Sequence, residues 1–139
     1  MIWIGFTGSQ EGMTDAQRAT LTSLLSEQAA AHPKFEFHHG DCIGSDQQAN
    51  YIAKTLGAVL VAHPPIDPSK RAHCVVDKSR PPLDYLDRNK EIVRATNVLY
   101  ATPNKAIEQK RSGTWSTVRF GRKEGRKVVV VLPDGSTTA

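Results

Sequence analysis

The strongest chemical signal in the chain is a basic, hydroxyl-rich turn, Arg111-Ser112-Gly113-Thr114, with Thr117 following at helical distance. A glycine flanked by hydroxyls at a helix start leaves bare backbone N–H groups facing outward, and the helix dipole there favours an anion. Lys110 and Arg111 add positive charge just before the turn. Ser112, Gly113 and Thr114 therefore read as phosphate contacts, although the same residues also satisfy an ordinary helix N-cap. Two turns of the same composition lie upstream, Thr7-Gly8-Ser9-Gln10-Glu11-Gly12 and Gly40-Asp41-Cys42-Ile43-Gly44-Ser45-Asp46. Gly8 and Ser9 read as a second backbone nest, and Gly40 and Gly44 as points of close approach to a ligand.

Other side chains could act on whatever binds there. Arg88 could clamp a phosphate through two parallel hydrogen bonds, or pair along its own helix with Asp84 or Glu91. Its neighbour Asn89 could read a ribose or a base. Asp41 and Asp46 are the acids closest to the proposed pocket. Cleaving an N-glycosidic bond needs a carboxylate to stabilise the developing oxocarbenium ion or to activate water. Asp46 could instead bond a ribose hydroxyl or complement a helix N-terminus. His38, His39, Asp41 and Cys42 crowd together, but neighbouring strand residues point to opposite faces, so no metal site is expected. Cys42 has no identifiable base and reads as a small buried hydrophobe. Trp115 could stack on a base or pack against a sheet. No cofactor is expected.

These residues need elements to hold them. Apolar runs at 3–6, 35–39, 58–62, 98–101 and 128–132 read as strands. Helical spacing follows in between: from Thr14 to about Ala31, from Ser45 to Leu56, from Asp84 to Arg94 and from Thr114 to Lys123. Thr14-Asp15-Ala16-Gln17 and Ser45-Asp46-Gln47-Gln48 both fit capping boxes. Leu86, Ile92 and Val93 mark the expected buried side of the third helix. Residues 63–83 carry five prolines and read as a long loop with little regular structure. Residues 136–139 read as a frayed tail after Pro133-Asp134-Gly135.

Alternating strands and helices predict a Rossmann-like, doubly wound α/β fold, with a mostly parallel sheet of about five strands and helices on both faces. The expected order is 3-2-1-4-5. Ligands bind such sheets beyond the carboxyl ends of the strands, where the order reverses. The Thr7–Gly12 turn and the Thr102–Thr114 segment would then face each other there.

At 139 residues, with 39% hydrophobic and 23% charged residues, the chain is expected to form one globular domain, 1–139. No apolar run approaches the roughly 20 residues of a membrane span, so no membrane partner is expected. The N-terminus reads as a strand rather than a signal peptide, and two cysteines are too few for a disulfide framework, so a cytoplasmic location is the default. The net charge of +4 hides an asymmetry: residues 1–69 hold seven acids and three bases, residues 70–139 seven acids and fifteen bases. That excess suits an anionic partner, either nucleotide or single-stranded DNA, or simply a solvated face around Arg119, Arg122, Lys123, Arg126 and Lys127.

Three motifs carry a family resemblance. Gly40 to Ala49, Tyr85 to Val93, and Arg111-Ser112-Gly113-Thr114 with Gly125-Arg126-Lys127-Val128 and Leu132-Pro133 resemble, in order, the DNA-processing protein A (Smf) family. They also resemble its SLOG-superfamily relatives, which include the LOG-type nucleotide phosphoribohydrolases. The resemblance implies a Rossmann-like domain that binds nucleotides or their phosphoribose parts at the strand ends, and a homo-oligomer. Two departures stand out. The LOG-type pattern places a catalytic Glu where this chain has Thr117, and the DNA-processing proteins carry additional domains. The leading expectation is therefore a protein that binds a phosphorylated nucleotide or nucleotide-derived small molecule as a sensor, sequestering or carrier protein. The first alternative is a nucleotide N-glycosidase using Asp41 or Asp46; the second is a minimal single-stranded DNA-binding module.

Overall fold

The computed structural model describes residues 1–138. Its centre is β1 (Ile2–Gly8), paired in parallel with β2 (Phe35–His39) on one side and β5 (Val98–Thr102) on the other. Beyond β2 lies β3 (Val59–Ala62), and beyond β5 lies β6 (Lys127–Val131), both parallel. Short β4 (Lys78–Ser79) and β7 (Thr137–Thr138) complete a seven-stranded sheet ordered β4-β3-β2-β1-β5-β6-β7. The five long strands follow the expected order, and the order reverses between β1 and β5.

The two outer strands depart from expectation. β4 lies inside the proline-rich segment and adds in parallel to β3, where Leu60 N–H donates to the Asp77 carboxylate at 2.7 Å and Arg80 N–H to Ala62 O at 2.9 Å. An exposed strand edge offers unpaired backbone groups, and two residues suffice to cover part of it. β7 pairs antiparallel with β6 across the turn at Pro133–Gly135, so Thr137 and Thr138 are strand rather than frayed tail; Ala139 lies outside the described residues.

Helices cover both faces. On one side lie α1 (Asp15–Ala31) and α2 (Ser45–Thr55), and on the other α3 (Tyr85–Ala95) and α4 (Gly113–Lys123). Strand alternation divides the core accordingly. Val98 and Tyr100 join Ile4, Phe6, Phe37, Leu21 and Leu25 under α1 and α2, whereas Leu99 and Ala101 join Val93, Val118 and Val130 under α3 and α4. Each fully buried side chain of this size stabilises the fold by about 1.5–3 kcal/mol relative to exposure.

Helix starts show where local signals held and where contacts overrode them. Thr14 caps α1 as a capping box: its hydroxyl accepts from Gln17 N–H, and the Gln17 side chain accepts from Thr14 N–H, each at 3.0 Å. The second capping box does not form. Gly44, at φ +91°, occupies the cap, and Ser45 instead donates its hydroxyl to Ser9 O at 2.7 Å. In α3 the buried side is Arg88, Asn89, Ile92 and Val93, while Leu86 faces solvent. No described helix is long and apolar enough to cross a membrane.

Candidate functional site

A narrow pocket opens where the strand order reverses. Thr7 and Gly8 from the end of β1, Gly40 and Cys42 beyond β2, Asp46 in the first turn of α2, and Tyr85, Arg88 and Asn89 from α3 line it. The Ser9 N–H, just past β1, donates to Thr102 O at the end of β5 (3.4 Å), which brings the two segments together across the switch point as expected.

Arg88 organises the floor. It is only 3% exposed. Its Nη1 donates to Gly40 O at 2.6 Å and His63 O at 3.2 Å, and its Nε to the Asn89 amide oxygen at 2.8 Å. Nη1 and Nη2 both lie 3.6 Å from Cys42 Sγ, and the guanidinium carbon sits 4.9 Å from the centre of the Tyr85 ring. Neither Asp84 nor Glu91 pairs with it, and none of the ion pairs among the described residues includes it. Gly40 permits this arrangement, because a Cβ there would run into the guanidinium and stand 2.9 Å from an Asp46 oxygen.

Asp46 is the one carboxyl group in the lining. Burial pushes it up from the ordinary carboxylate range, partly opposed by His39, Arg88 and the N–H of Cys42, which donates to it at 3.1 Å.

Asp41 has a different employment. Its backbone sits at φ +52°, a left-handed conformation that Asp tolerates better than most residues. One carboxylate oxygen accepts from Arg71 Nε at 2.9 Å and the other from Cys74 N–H at 2.8 Å, while its carbonyl takes Ala72 N–H at 2.8 Å. Asp41 thus clasps the 63–83 segment against the sheet and is not among the residues lining the pocket.

The phosphate turn stands apart from Arg88. The Ser112 hydroxyl caps α4 by accepting Trp115 N–H at 3.2 Å, and Thr117 donates its hydroxyl to Gly113 O at 2.8 Å. Thr114 and Thr117 are buried, Arg111 is exposed, and none of Arg111 to Thr114 lines the pocket. Tyr85 connects the two regions: its ring lies against Arg88 on one side and occupies the space a Cβ on Gly113 would need. Ser9 and Gly44 lie behind the pocket, tied to the start of α2.

Sequence reasoning missed three residues. Tyr85 was legible only as part of a motif. Thr102, fully buried at the end of β5, carries a hydroxyl with no partner in the structure and lies 2.5 Å from where a Cβ on Gly8 would stand. Its place at a strand end beside the switch point was the available signal. His63 enters through its carbonyl, which no side-chain pattern reveals. His38 and His39 point to opposite faces as expected: His38 meets Glu36 and His63, and His39 meets Asn50 and the N–H of Asp41.

No family model matches the chain, and no curated protein does. Solved structures do. The molybdenum cofactor binding protein from the phototrophic bacterium Rippkaea orientalis matches with a TM-score of 0.70 at 23% identity, over 94% of this chain and 76% of that one. The molybdenum cofactor carrier protein from Chlamydomonas reinhardtii gives 0.67 and 23% over the same shares. DNA processing protein A from Helicobacter pylori gives 0.63 and 16%, over 93% of this chain and 64% of its own. At these identities the likeness establishes the fold alone, a Rossmann-like α/β fold with a mostly parallel sheet.

Proposed function

We propose that this protein binds a phosphorylated, nucleotide-like small molecule at the β1/β5 switch point and acts as a carrier or sensor that leaves the ligand intact. One observation carries the reading: Arg88 is a buried guanidinium with no ion-pair partner among the described residues, lining a pocket at a strand-end edge. A buried charge is costly unless something pairs with it, and an anionic ligand would supply the missing partner. The unpartnered Thr102 hydroxyl, buried beside Gly8 of the lining, supports the same site as a further donor close to it. Movement of the Tyr85 ring would join the start of α4 to Arg88, so that one phosphate could meet both. Two structural neighbours are a molybdenum cofactor binding protein and a molybdenum cofactor carrier protein, which supports a small-molecule carrier.

Thermal unfolding with adenosine monophosphate, adenosine diphosphate, inorganic pyrophosphate and a single-stranded oligonucleotide tests the proposal. A probe at a hundred times its dissociation constant adds about 2.7 kcal/mol of stability. The expected result is a raised midpoint with a phosphorylated probe, recovered unchanged. Replacing Arg88 by Met should weaken binding about a hundredfold, since each lost charge-assisted hydrogen bond is worth about 1.5–3 kcal/mol. No response to any phosphorylated probe overturns the reading.

One observation favours a second reading. Asp46 is a buried acid in the lining whose carboxyl is pushed toward its protonated form, as a general acid requires. Free base and ribose phosphate recovered from the mixture, and lost in Asp46→Asn, would make the protein an N-glycosidase. Response to the oligonucleotide alone, falling steeply with salt, would move the site to the basic α4 surface.

A further inference from the structure

Away from the pocket lining, four side chains form an unbroken line through the β2–β3 edge to α3. His38 Nε2 lies 2.9 Å from Glu36 Oε1, His38 Nδ1 lies 2.8 Å from His63 Nε2, and His63 Nδ1 lies 2.5 Å from Glu91 Oε1. Both imidazoles are buried. A neutral imidazole carries a single N–H, so two neutral rings supply two protons for three contacts. The third contact exists only if one more proton is shared within the chain; without it, one pair of atoms meets lone pair to lone pair.

The two ends are not equivalent. Glu36 also faces Lys78 at 3.5 Å, and its side chain is 14% exposed. Burial alone would raise its carboxyl, but the bonds from His38 and Lys78 outweigh that and hold it low. Glu36 therefore stays ionised and keeps its proton from His38 Nε2–H. His38 Nδ1 then accepts from His63 Nε2–H, which leaves His63 Nδ1 bare toward Glu91. Glu91 is 31% exposed and free to turn to water. The end that opens is the α3 end.

We propose that Glu36, His38, His63 and Glu91 form a one-proton switch: with three shared protons the line fastens the end of β3 to α3, and with two it releases Glu91. His63 grips α3 at a second point, since its carbonyl accepts from Arg88 one turn before Glu91. The surroundings set the direction of response. Burial lowers both rings, Glu36 and Glu91 oppose this, and the positive charge of Arg80 lowers both further, as His39 does for His38 and His38 does for His63. His63 is brought down to about 4, so the third proton enters on acidification.

Nitrogen NMR of the histidines in the unaltered full-length protein reads the tautomers directly, and amide hydrogen exchange reads the grip on α3. At neutral pH both His38 and His63 should carry their proton on Nε2. Lowering the pH should add one proton across the pair as a unit. Amides around Glu91, corrected for intrinsic exchange, should then become more protected, on the order of tenfold for one hydrogen bond. In Glu91→Gln the amide N–H supplies the missing proton to His63 Nδ1. That variant should show the protected state at every pH, with the ring titration gone. A resting Nδ1–H tautomer on His63 overturns the proposal, and so does a Glu91→Gln variant whose exchange follows pH as the parent does.

Discussion

Replacing Asp41 by Asn separates a catalytic acid from a clasp. The substitution keeps size and tolerance of the left-handed backbone at φ +52°, so backbone strain is not the variable. The oxygen that accepts Cys74 N–H at 2.8 Å can be retained as the amide oxygen. The other becomes an NH2 group, which faces the Arg71 Nε–H donor now 2.9 Å away. A charge-assisted hydrogen bond worth about 1.5–3 kcal/mol is replaced by two opposed donors. Arg71 is 29% exposed and can turn partly to water, which returns some of that loss. The net expectation is about 2 kcal/mol of lost stability, with the loss concentrated where Arg71 and Cys74 meet Asp41. Urea unfolding measures the first, and hydrogen exchange at residues 71–74 the second. Faster exchange there with unchanged binding of a phosphorylated probe is the signature of a clasp. A variant as stable as the parent, with unaltered exchange at 71–74, would refute the assignment and return Asp41 to the candidates for catalysis.

Thr102→Val tests the orphan hydroxyl buried beside Gly8. Valine has nearly the same shape and suits a strand, so removing a buried hydroxyl without a partner should leave the free protein as stable or about 1 kcal/mol more stable by urea unfolding. Affinity for a phosphorylated probe should fall, and equal affinity would remove Thr102 from the site. Acidity gives a further test. His63 is lowered to about 4 from 6.5, so the folded chain binds that proton more weakly than the unfolded chain does. Its contribution to stability is whole above about pH 6.5 and disappears as the pH falls through 6.5 toward 4, by at most about 3 kcal/mol. Stability unchanged across that window in urea titrations contradicts this. The local tightening of α3 on acidification is compatible with it, because the global loss arises from protons taken up by the unfolded chain.

The long strands were legible because each buries an apolar run, and their alternation with helices predicted the parallel sheet; the order 3-2-1-4-5 is one of the common doubly wound orders and is the one found. β4 and β7 were not, because two residues cannot display a period. β7 did leave a trace in Pro133-Asp134-Gly135, a turn that can return a chain as readily as end a strand. Leu86 misled for a more informative reason. Apolar residues mark a buried helix face only where the core is apolar, and the first turns of α3 face a polar pocket, so Arg88 and Asn89 turn inward and Leu86 turns out. Ser45 carried a valid cap signal, but Gly44 at positive φ shifted the helix start by one residue and left the hydroxyl to Ser9. The Ser112 hydroxyl performs the helix capping that the composition of its turn also predicts.

These displacements share a cause that bears on function. Local signals were overridden mainly at the carboxyl edge of the sheet, where side chains are committed to holding backbone segments in place rather than to packing a core. Asp41 holds the 63–83 segment, Ser45 holds the turn after β1, and His63 holds α3. Arg88 holds Gly40 O and His63 O with Nη1 and Asn89 with Nε, while Nη2 has only the sulfur of Cys42. A guanidinium kept purely for scaffolding would be expected to gain a carboxylate partner, and no ion pair among the described residues includes Arg88. Among the described residues Nη2 is therefore left without an oxygen acceptor, beside a pocket at the edge where the strand order reverses. In the proposed function, a ligand's phosphate supplies that acceptor.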